Sequence, residues 1–359
     1  MQNEKTKNRI LVAGTSGKSS VSKIFQHMCV SKKINVRTVF SENEQYYNCD
    51  LIDKNKKLKP EEKVLVKKFT ENYDVEKNLD IVILTSYEKT QSNPNLDFLK
   101  DLNEKQILII NRDIEDFEKI SNNLNCEIIS YGLNENSNFH LKDIKQCLFG
   151  SEFFLSVKDK VLKIKTNLAT KSGILNLAAA AIAFHKSCNF ELEHIFSLMS
   201  NFPGVKGVFN VYTISDLNLE IIIDKASTPD SFKELMETVS NLSDKNIISI
   251  LGCDGNKEYE NRSKIGLIAE EYADQVIITN SNPMSESPHK ISNDILQKVK
   301  NRNKIEICLD RSLAIKSTIH KNTNRILVIS GKGNSGQTKF RNFDFDHNDQ
   351  NELLTYSIN

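Results

Sequence analysis

The stretch from Arg9 to Ser20, RILVAGTSGKSS, limits what this chain can fold into more than any other. A short apolar run ends at Ala13, Gly14-Thr15-Ser16-Gly17-Lys18-Ser19-Ser20 follows, and a helical pattern occupies Ser20–Val30. Such a run reads as a buried strand. The glycines let backbone N–H groups turn towards a single point, and the N-terminus of the following helix adds positive partial charge there. The result is a phosphate cradle, in which Lys18 would reach the β/γ-phosphates of ATP and the Ser19 hydroxyl would sit on Mg²⁺. The general pattern has a glycine where this chain has Val12, so the match is to the narrower G-T-x-G-K-[ST] form. The competing reading, a plain strand–turn–helix joint that happens to carry Gly-Lys, fits this context less well.

Further apolar runs alternate with helical periodicity along most of the chain. Strands are expected at Asp80–Leu84, Gln106–Ile110, Cys126–Ser130, Glu220–Asp224, Asn246–Leu251, Gln275–Thr279, Lys304–Leu309 and Arg325–Ser330. Helices are expected at Asn176–Lys186, Ser231–Leu242 and Ile265–Tyr272. Continuous β-branched strands separated by helices imply an α/β fold with parallel sheets covered on both faces. The length of 359 residues suits two domains at ~150 residues each. Asn201–Gly207, with a Pro and two Gly residues after a helix, is the expected junction. Ser41–Asn78 reads as a variable surface region, the run Lys54–Lys68 as a solvated face, and 341–359 as a polar tail.

Composition excludes several classes. With 48 Lys+Arg against 47 Asp+Glu the net charge is +1, which leaves no excess of cations to coat a nucleic acid. The seven cysteines are scattered and contain no C-x-x-C, so a disulfide framework or zinc site is not expected and a reducing, cytoplasmic compartment is. No signal segment or membrane span is legible. None of the seven His residues has metal-ligand spacing with another, and His185 and His194 are expected to be partly exposed on helices.

Taken in order, several motifs resemble those of the Mur ligases, ATP-dependent amide-forming enzymes of cell-wall synthesis. Besides GTSGKSS they are Gly173-Ile174-Leu175-Asn176 before an Ala-rich helix, Phe202-Pro203-Gly204-Val205-Lys206-Gly207, and Ile223-Asp224-Lys225-Ala226-Ser227-Thr228-Pro229-Asp230. Leu251-Gly252-Cys253-Asp254-Gly255 with Arg262, Thr279 to Glu286 (TNSNPMSE), Asp310-Arg311 with Ala314-Ile315, and Gly331-Lys332-Gly333 are most similar to the tripeptide-synthetase branch.

The resemblance implies a P-loop ATPase-type parallel or mixed sheet over 1–203, followed by a smaller Rossmann-like α/β domain over 204–340. It implies that a substrate carboxylate is activated as an acyl phosphate and then attacked by an amino-acid amine. Lys18 would be the catalytic residue. Gly14 to Ser20, Asn176, Asp224, Asp310 and Arg311 would hold ATP, Ser19 would ligate Mg²⁺, and Arg262, Asn282 and Gly331 would bind the amino acid.

The residues themselves leave second roles open. Arg262 would clamp a carboxylate bidentately or be solvated. Asp224 would meet a ligand at its strand end or cap the next helix. Asp310-Arg311 would serve the nucleotide or form a surface ion pair, and Asn282-Pro283 would turn the chain in either case.

Departures from the family pattern sharpen these expectations. The family's metal-holding Glu has no counterpart in Ile83-Leu84-Thr85-Ser86, and only 24 residues separate Ser86 from Asn111-Arg112-Asp113, too few for its D-H and carbamylated-Lys segment. Glu88 and Asp113 are the nearby carboxylates that would have to stand in. Met284, Ser227 and Asn334-Ser335 replace an Arg, a His and a His-Glu, and the lost Arg and Glu recognise diaminopimelate in the relative. The P-loop begins at Gly14, where the family has a UDP-sugar domain ahead of it. The acceptor is therefore expected to be something other than a UDP-linked peptide, or to be presented by a partner protein. The alternative expectation is a nucleotide-binding pseudoenzyme that acts as a regulatory or partner-binding subunit.

Overall fold

The computed structural model describes residues 8–34, 36–39, 64–68, 79–87, 96–122, 124–257, 259–354 and 356. The chain divides into two compact units, Met1–Gln146 with Gly150–Pro203, and Cys147–Phe149 with Gly204–Asn359.

The first unit runs β1 (Asn8–Ala13), α1 (Lys18–Ser31), β2 (Val36–Val39), β3 (Val64–Lys68), β4 (Ile81–Leu84), β5 (Ile107–Asn111), α2 (Phe117–Ser121), β6 (Glu127–Gly132), β7 (Phe139–Cys147), β8 (Gly150–Val157), β9 (Lys160–Thr166), α3 (Lys171–Cys188) and α4 (Leu192–Met199). Its nine strands form one sheet in the order β2-β3-β1-β4-β5-β6-β7-β8-β9. The ladders from β2 to β7 are parallel and β8–β9 is antiparallel, so the sheet is mixed. Ile10 to Ala13 and Ile81 to Leu84 are buried along their whole length, as expected for strands covered on both faces.

Two regions differ from the expectation. Val64–Lys68, assigned to a surface region and a solvated face, is an internal strand that pairs in parallel with both β1 and β2. Its lysines obscured a short β-branched run. The β7–β9 stretch was also missed, because alternating half-exposed strands carry a weaker signal than continuous apolar ones.

The middle of α3 is apolar on every side, and Ala178 to Ala183 are all fully buried. A helix of this kind belongs inside a domain, and its small side chains let neighbours approach closely. Thr170 caps its start by accepting from Gly173 N at 3.0 Å, and Asn189 ends it in the left-handed region at φ 56°.

The second unit runs β10 (Asn210–Ile214), β11 (Leu219–Ile223), α5 (Pro229–Leu242), β12 (Ile247–Leu251), α6 (Tyr259–Tyr272), β13 (Gln275–Ile278), α7 (Pro288–Leu296), β14 (Ile305–Ile307), α8 (Arg311–Lys321) and β15 (Ile326–Ile329), then the small hairpin β16 (Gln337–Lys339) and β17 (Asp344–Asp346). The main sheet has the order β10-β11-β15-β12-β13-β14, parallel apart from the edge strand β10. Its core is built from strand and α8 side chains, with Ile221, Ile250, Leu327 and Ile315 fully buried.

The segment 341–359 is more than a polar tail. Asp349 and Leu353 are fully buried, Leu353 within the same core, and Asp349 closes an ion pair with Arg311.

Candidate active site

In the first unit the predicted loop residues lie where β1 meets α1. Gly14 has φ 135° and Gly17 has φ 80°, conformations that side chains resist. Packing adds a second constraint. A Cβ at Gly14 would lie 2.3 Å from Thr85 Oγ1, and one at Gly17 would lie 2.5 Å from Asn176 Oδ1. Asn176, on α3, is thus seated against the loop 159 residues before it in sequence.

Gly17 is the N-cap of α1, it makes no side-chain cap bond, and the first turn holds no acidic residue. The N–H groups and dipole of this 14-residue helix therefore face the loop without a competing anion from the helix's own first turn. Lys18 folds back over the loop, with its ammonium donating to Gly14 O and, at 3.3 Å, to Thr15 O. Ser19 and Ser20 are buried at the start of the helix.

Thr85 and Ser86, at the C-terminal end of β4, complete the cradle. Thr85 Oγ1 donates to Ser16 O at 2.5 Å and to Ala13 O at 3.1 Å. Ser86 Oγ accepts from Ser16 N at 2.8 Å and lies 2.9 Å from the Thr15 hydroxyl, while Thr15 N donates to Ser86 O at 3.1 Å. Sequence reasoning noticed these two residues only for the carboxylate they lack. Ile83, in the position of the expected acid, is fully buried inside β4.

Asp113, one of the two nearby carboxylates, is engaged at the end of the neighbouring strand. Its carboxylate accepts from Leu133 N at 2.8 Å and Asn134 N at 2.9 Å, and it crowds Gly132, where a Cβ would lie 2.8 Å away. It is a brace for the turn after β6. Glu88 lies outside the described residues.

In the second unit the predicted residues gather at the C-terminal ends of adjacent parallel strands, the edge where ligands meet open α/β sheets. Asp224 follows β11, Gly331 follows β15, and Asn282 lies beyond β13. Asp224 is 8% exposed, and burial pushes its pKa up to about 6 despite hydrogen bonds from Phe209 N (2.7 Å) and Ala226 N (2.6 Å). It does not cap α5. Thr228 does so, in a reciprocal pair with Ser231, with Pro229 opening the helix. Gly331 N donates to Asp224 O at 3.1 Å, and a Cβ at Gly331, whose φ is 100°, would come within 2.9 Å of Gly252 O.

The predicted arginines are neither solvated nor at the surface. Arg262 is 2% exposed and donates to Glu286 at 2.8 and 3.0 Å, to Asp294 at 2.8 Å and to Asp254 O at 3.0 Å. The guanidinium donors that would clamp a substrate carboxylate are thus turned onto two carboxylates of the chain. The Arg262 hydrogen bond holds Glu286 down at about 2. Arg311 forms a bidentate pair with Asp349 at 2.6 and 2.7 Å and also donates to Ser330 O and Asn280 O. Burial pushes Asp349 up, but Arg311 and His347 outweigh it and hold the carboxyl well below its usual range. Asp310 caps α8 through Leu313 N at 3.0 Å.

Asn282 belongs to a network that sequence reasoning did not foresee. Asp254 Oδ1 accepts from Ser281 Oγ and Asn282 Nδ2, both at 2.9 Å, and Asn282 Oδ1 accepts from Lys332 Nζ at 3.3 Å. Lys332 also donates to Gln337 O and Thr338 Oγ1, and burial followed by the Arg311 charge lowers its pKa to about 8. The Gly-Lys-Gly motif pointed to this lysine, but its partners lie in a hairpin with no legible signature.

Two domain patterns match this chain, the Mur ligase middle domain over residues 92–184 and the Mur ligase glutamate ligase domain over residues 210–333. The chain belongs to the Mur ligase family. It is 31% identical over 239 residues to the UDP-N-acetylmuramoyl-L-alanyl-D-glutamate–2,6-diaminopimelate ligase of Prochlorococcus marinus subsp. pastoris, covering 64% of this chain and 47% of that protein. The protein of the same name from Aquifex aeolicus is 31% identical over 248 residues, 68% of this chain and 50% of that one. The chain therefore spans about half the length of these relatives.

Among solved structures, a UDP-N-acetylmuramoyl-L-alanyl-D-glutamate–2,6-diaminopimelate ligase superposes with TM-score 0.64 at 19% identity, covering 98% of this chain and 78% of that one. The MurF ligase of Thermotoga maritima in complex with ADP gives 0.68 at 15% identity over 90% and 76%. At such identities the likeness is one of fold. Among the described residues no helix of this family member is long and apolar enough to cross a membrane.

Proposed function

We propose that this chain is an ATP-dependent, ADP-forming ligase that joins a carboxylate to an amino-acid amine. The observation that carries the reading is the open N-terminus of α1 framed by Gly14, Gly17 and Asn176, a cradle shaped for a nucleotide phosphate. Residues 1–203 would act as the nucleotide-binding domain and 204–340 as the C-terminal domain, with Asp224, Asp310, Arg311, Arg262, Asn282 and Gly331 framing its sheet edge.

A carboxylate oxygen of the acceptor attacks the γ-phosphorus, the bond to the β-bridging oxygen breaks, and an acyl phosphate and ADP result. The amine nitrogen then attacks the activated carbonyl carbon, inorganic phosphate leaves, and the amine sheds a proton to solvent. Catalysis of such a step is mostly positioning and charge neutralisation. Lys18 swings from its own loop carbonyls onto the transferring phosphoryl group, and the α1 N–H groups hold the phosphates behind it.

Mg²⁺ fits this site in one respect. The Ser19 hydroxyl stands at the helix start, as a phosphate-bound ion needs. Among the described residues no cluster of three or more His, Cys, Asp or Glu side chains could hold a metal. The ion would thus rest on phosphate oxygens and Ser19, and its contribution would be neutralisation of phosphate charge.

For substrates, the names of the relatives give UDP-N-acetylmuramoyl-L-alanyl-D-glutamate as acceptor and 2,6-diaminopimelate as amine. This chain carries Met284 and Ser335 where the relative's Arg and Glu recognise diaminopimelate. The Met284 backbone is fixed, at φ 54° with its N–H on Lys339 O. A different amino acid is therefore the proposed amine, joined to a carboxylate acceptor that is either the relatives' UDP-linked dipeptide or one delivered by a partner protein.

The test is calorimetric titration of Mg-ATP into wild type and Lys18→Ala, followed by ADP release across an amino-acid panel with and without the UDP-linked dipeptide. Binding lost in Lys18→Ala, with amino-acid-stimulated ADP release in wild type, is the expected result. Binding without release for any combination would sink the ligase reading, and no binding at all would sink the nucleotide site.

A further inference from the structure

α1 and α3 pack in parallel, and their contacts climb like rungs. Gly17 lies against Asn176, and two turns on the Phe25 and Phe184 rings meet edge-on with centroids 5.5 Å apart. One turn beyond, the same register sets Cys29 and Cys188 side by side as neighbouring thiols. The sequence offset is the same at all three levels, so one face of α1 tracks one face of α3 without slippage from the glycine loop to the far end. Cys29 is fully buried, while Cys188, the last residue of α3, is only partly covered.

We propose that Cys29 and Cys188 are a redox modification site, closing into a disulfide that staples α1 to α3 at the end opposite the glycine loop. The oxidant it would take is a low-molecular-weight disulfide such as oxidised glutathione.

The order of events follows from exposure. Cys188, as thiolate, attacks one sulfur of the small disulfide, forming a mixed disulfide and releasing one small thiolate. Cys29 passes its proton to the departing small thiolate as its sulfur attacks the Cys188 sulfur, and the second small thiol leaves. Two protein thiols are oxidised and one small disulfide is reduced to two thiols. The Cys188 thiol, and after it burial, push the pKa of Cys29 up, so Cys29 does not meet oxidants on its own and serves as the resolving partner. The register that places Asn176 on Gly17 also places the two thiols opposite each other, so closure would draw on the helix ends furthest from the loop. In a reducing compartment the pair stays open, and it closes under disulfide stress.

The experiment treats the full chain with oxidised glutathione, blocks the remaining thiols with iodoacetamide, and maps non-reduced peptides by mass spectrometry. The expected product is a Cys29–Cys188 peptide that has lost two hydrogen atoms and is reopened by dithiothreitol. It should be absent in Cys188→Ser. Cys29→Ser, if it folds, should stop at a stable glutathione adduct on Cys188. Three results would overturn the proposal. They are a wild-type Cys188 that halts as the mixed adduct, a Cys29 linked to a different cysteine, and a pair that stays alkylatable at oxidant levels that modify the exposed Cys147.

Discussion

The glycine loop of the first unit and the strand-end cluster of the second are built from different materials. The loop makes its site from backbone, with two left-handed glycines, an uncapped helix start and the hydroxyls of Thr85 and Ser86 locking the turn. Its cation, Lys18, donates to the loop carbonyls of Gly14 and Thr15. The second cluster is rich in charge, but Arg262 is bound to Glu286 and Asp294, Arg311 to Asp349, and Lys332 to backbone carbonyl and hydroxyl oxygens. Its long side chains are framework. A charged residue in a ligand-binding motif can therefore contribute by holding a strand end in place, with the ligand meeting what that strand end presents.

The largest expected effect tests whether Arg311 is framework. Removing one partner of a buried ion pair leaves the other charge stranded and costs ~3–5 kcal/mol. Arg311→Ala should destabilise the second unit by that order, read as a lower urea midpoint, because Asp349 is fully buried, while Mg-ATP affinity at low urea stays within about twofold of wild type. A large affinity loss with unchanged stability would reverse the assignment and make Arg311 a ligand contact.

The opposite pattern is expected at the loop. Gly17→Ala forces a side chain into φ 80° and places its Cβ 2.5 Å from Asn176 Oδ1. Either α3 yields or the loop opens, and both disturb the cradle. Mg-ATP binding should weaken by about a hundredfold, ~2.7 kcal/mol, with a smaller loss in the urea midpoint. Gly336→Ala, where nothing lies within 4 Å of the added carbon, is the matched control and should change neither. If both alanines behave alike, the close approach of Asn176 carries no weight.

The comparison also explains what could be read from sequence. The loop was legible because the residues that make it are contiguous and their spacing is the geometry. Asn176 was legible only through family resemblance, since nothing in its own helix points to Gly17. The parallel sheets followed from continuous β-branched strands. β3 escaped because its position between β1 and β2 depends on pairing partners, while its lysines looked solvated. The side-chain partners in the second unit escaped for the same reason on a larger scale. Glu286 and Asp294 lie 24 and 32 residues beyond Arg262, and Asp349 lies 38 beyond Arg311, in a segment whose composition reads as a polar tail. Burial of a charge depends on such distant partners, and local pattern carries no record of them.

The smallest effect is a difference in the sign of pH dependence within the second unit itself. Asp224 is buried without a cation on its oxygens, and its pKa rises from 3.8 to about 6. The unfolded chain therefore sheds this proton first as pH rises, and the folded state loses stability between about pH 4 and 6, then holds level. Glu286, held at about 2 by Arg262, behaves in the opposite way. Its contribution is complete above its ordinary 4.5 and disappears as pH falls towards 2. Asp224→Asn should therefore flatten the urea midpoint between about pH 4 and 6, and Glu286→Gln should flatten it only below about 4.5. If Asp224→Asn left the slope between pH 4 and 6 intact, the carboxylate would have to be ionised in the fold at low pH. It would then need a compensating cation, and the Asp224 strand end would join Arg262 and Arg311 as paired framework. A flattened slope would instead mark Asp224 as a buried carboxylate at this edge whose charge is left for an incoming group to neutralise, which makes it the first residue of the second unit to test for ligand contact.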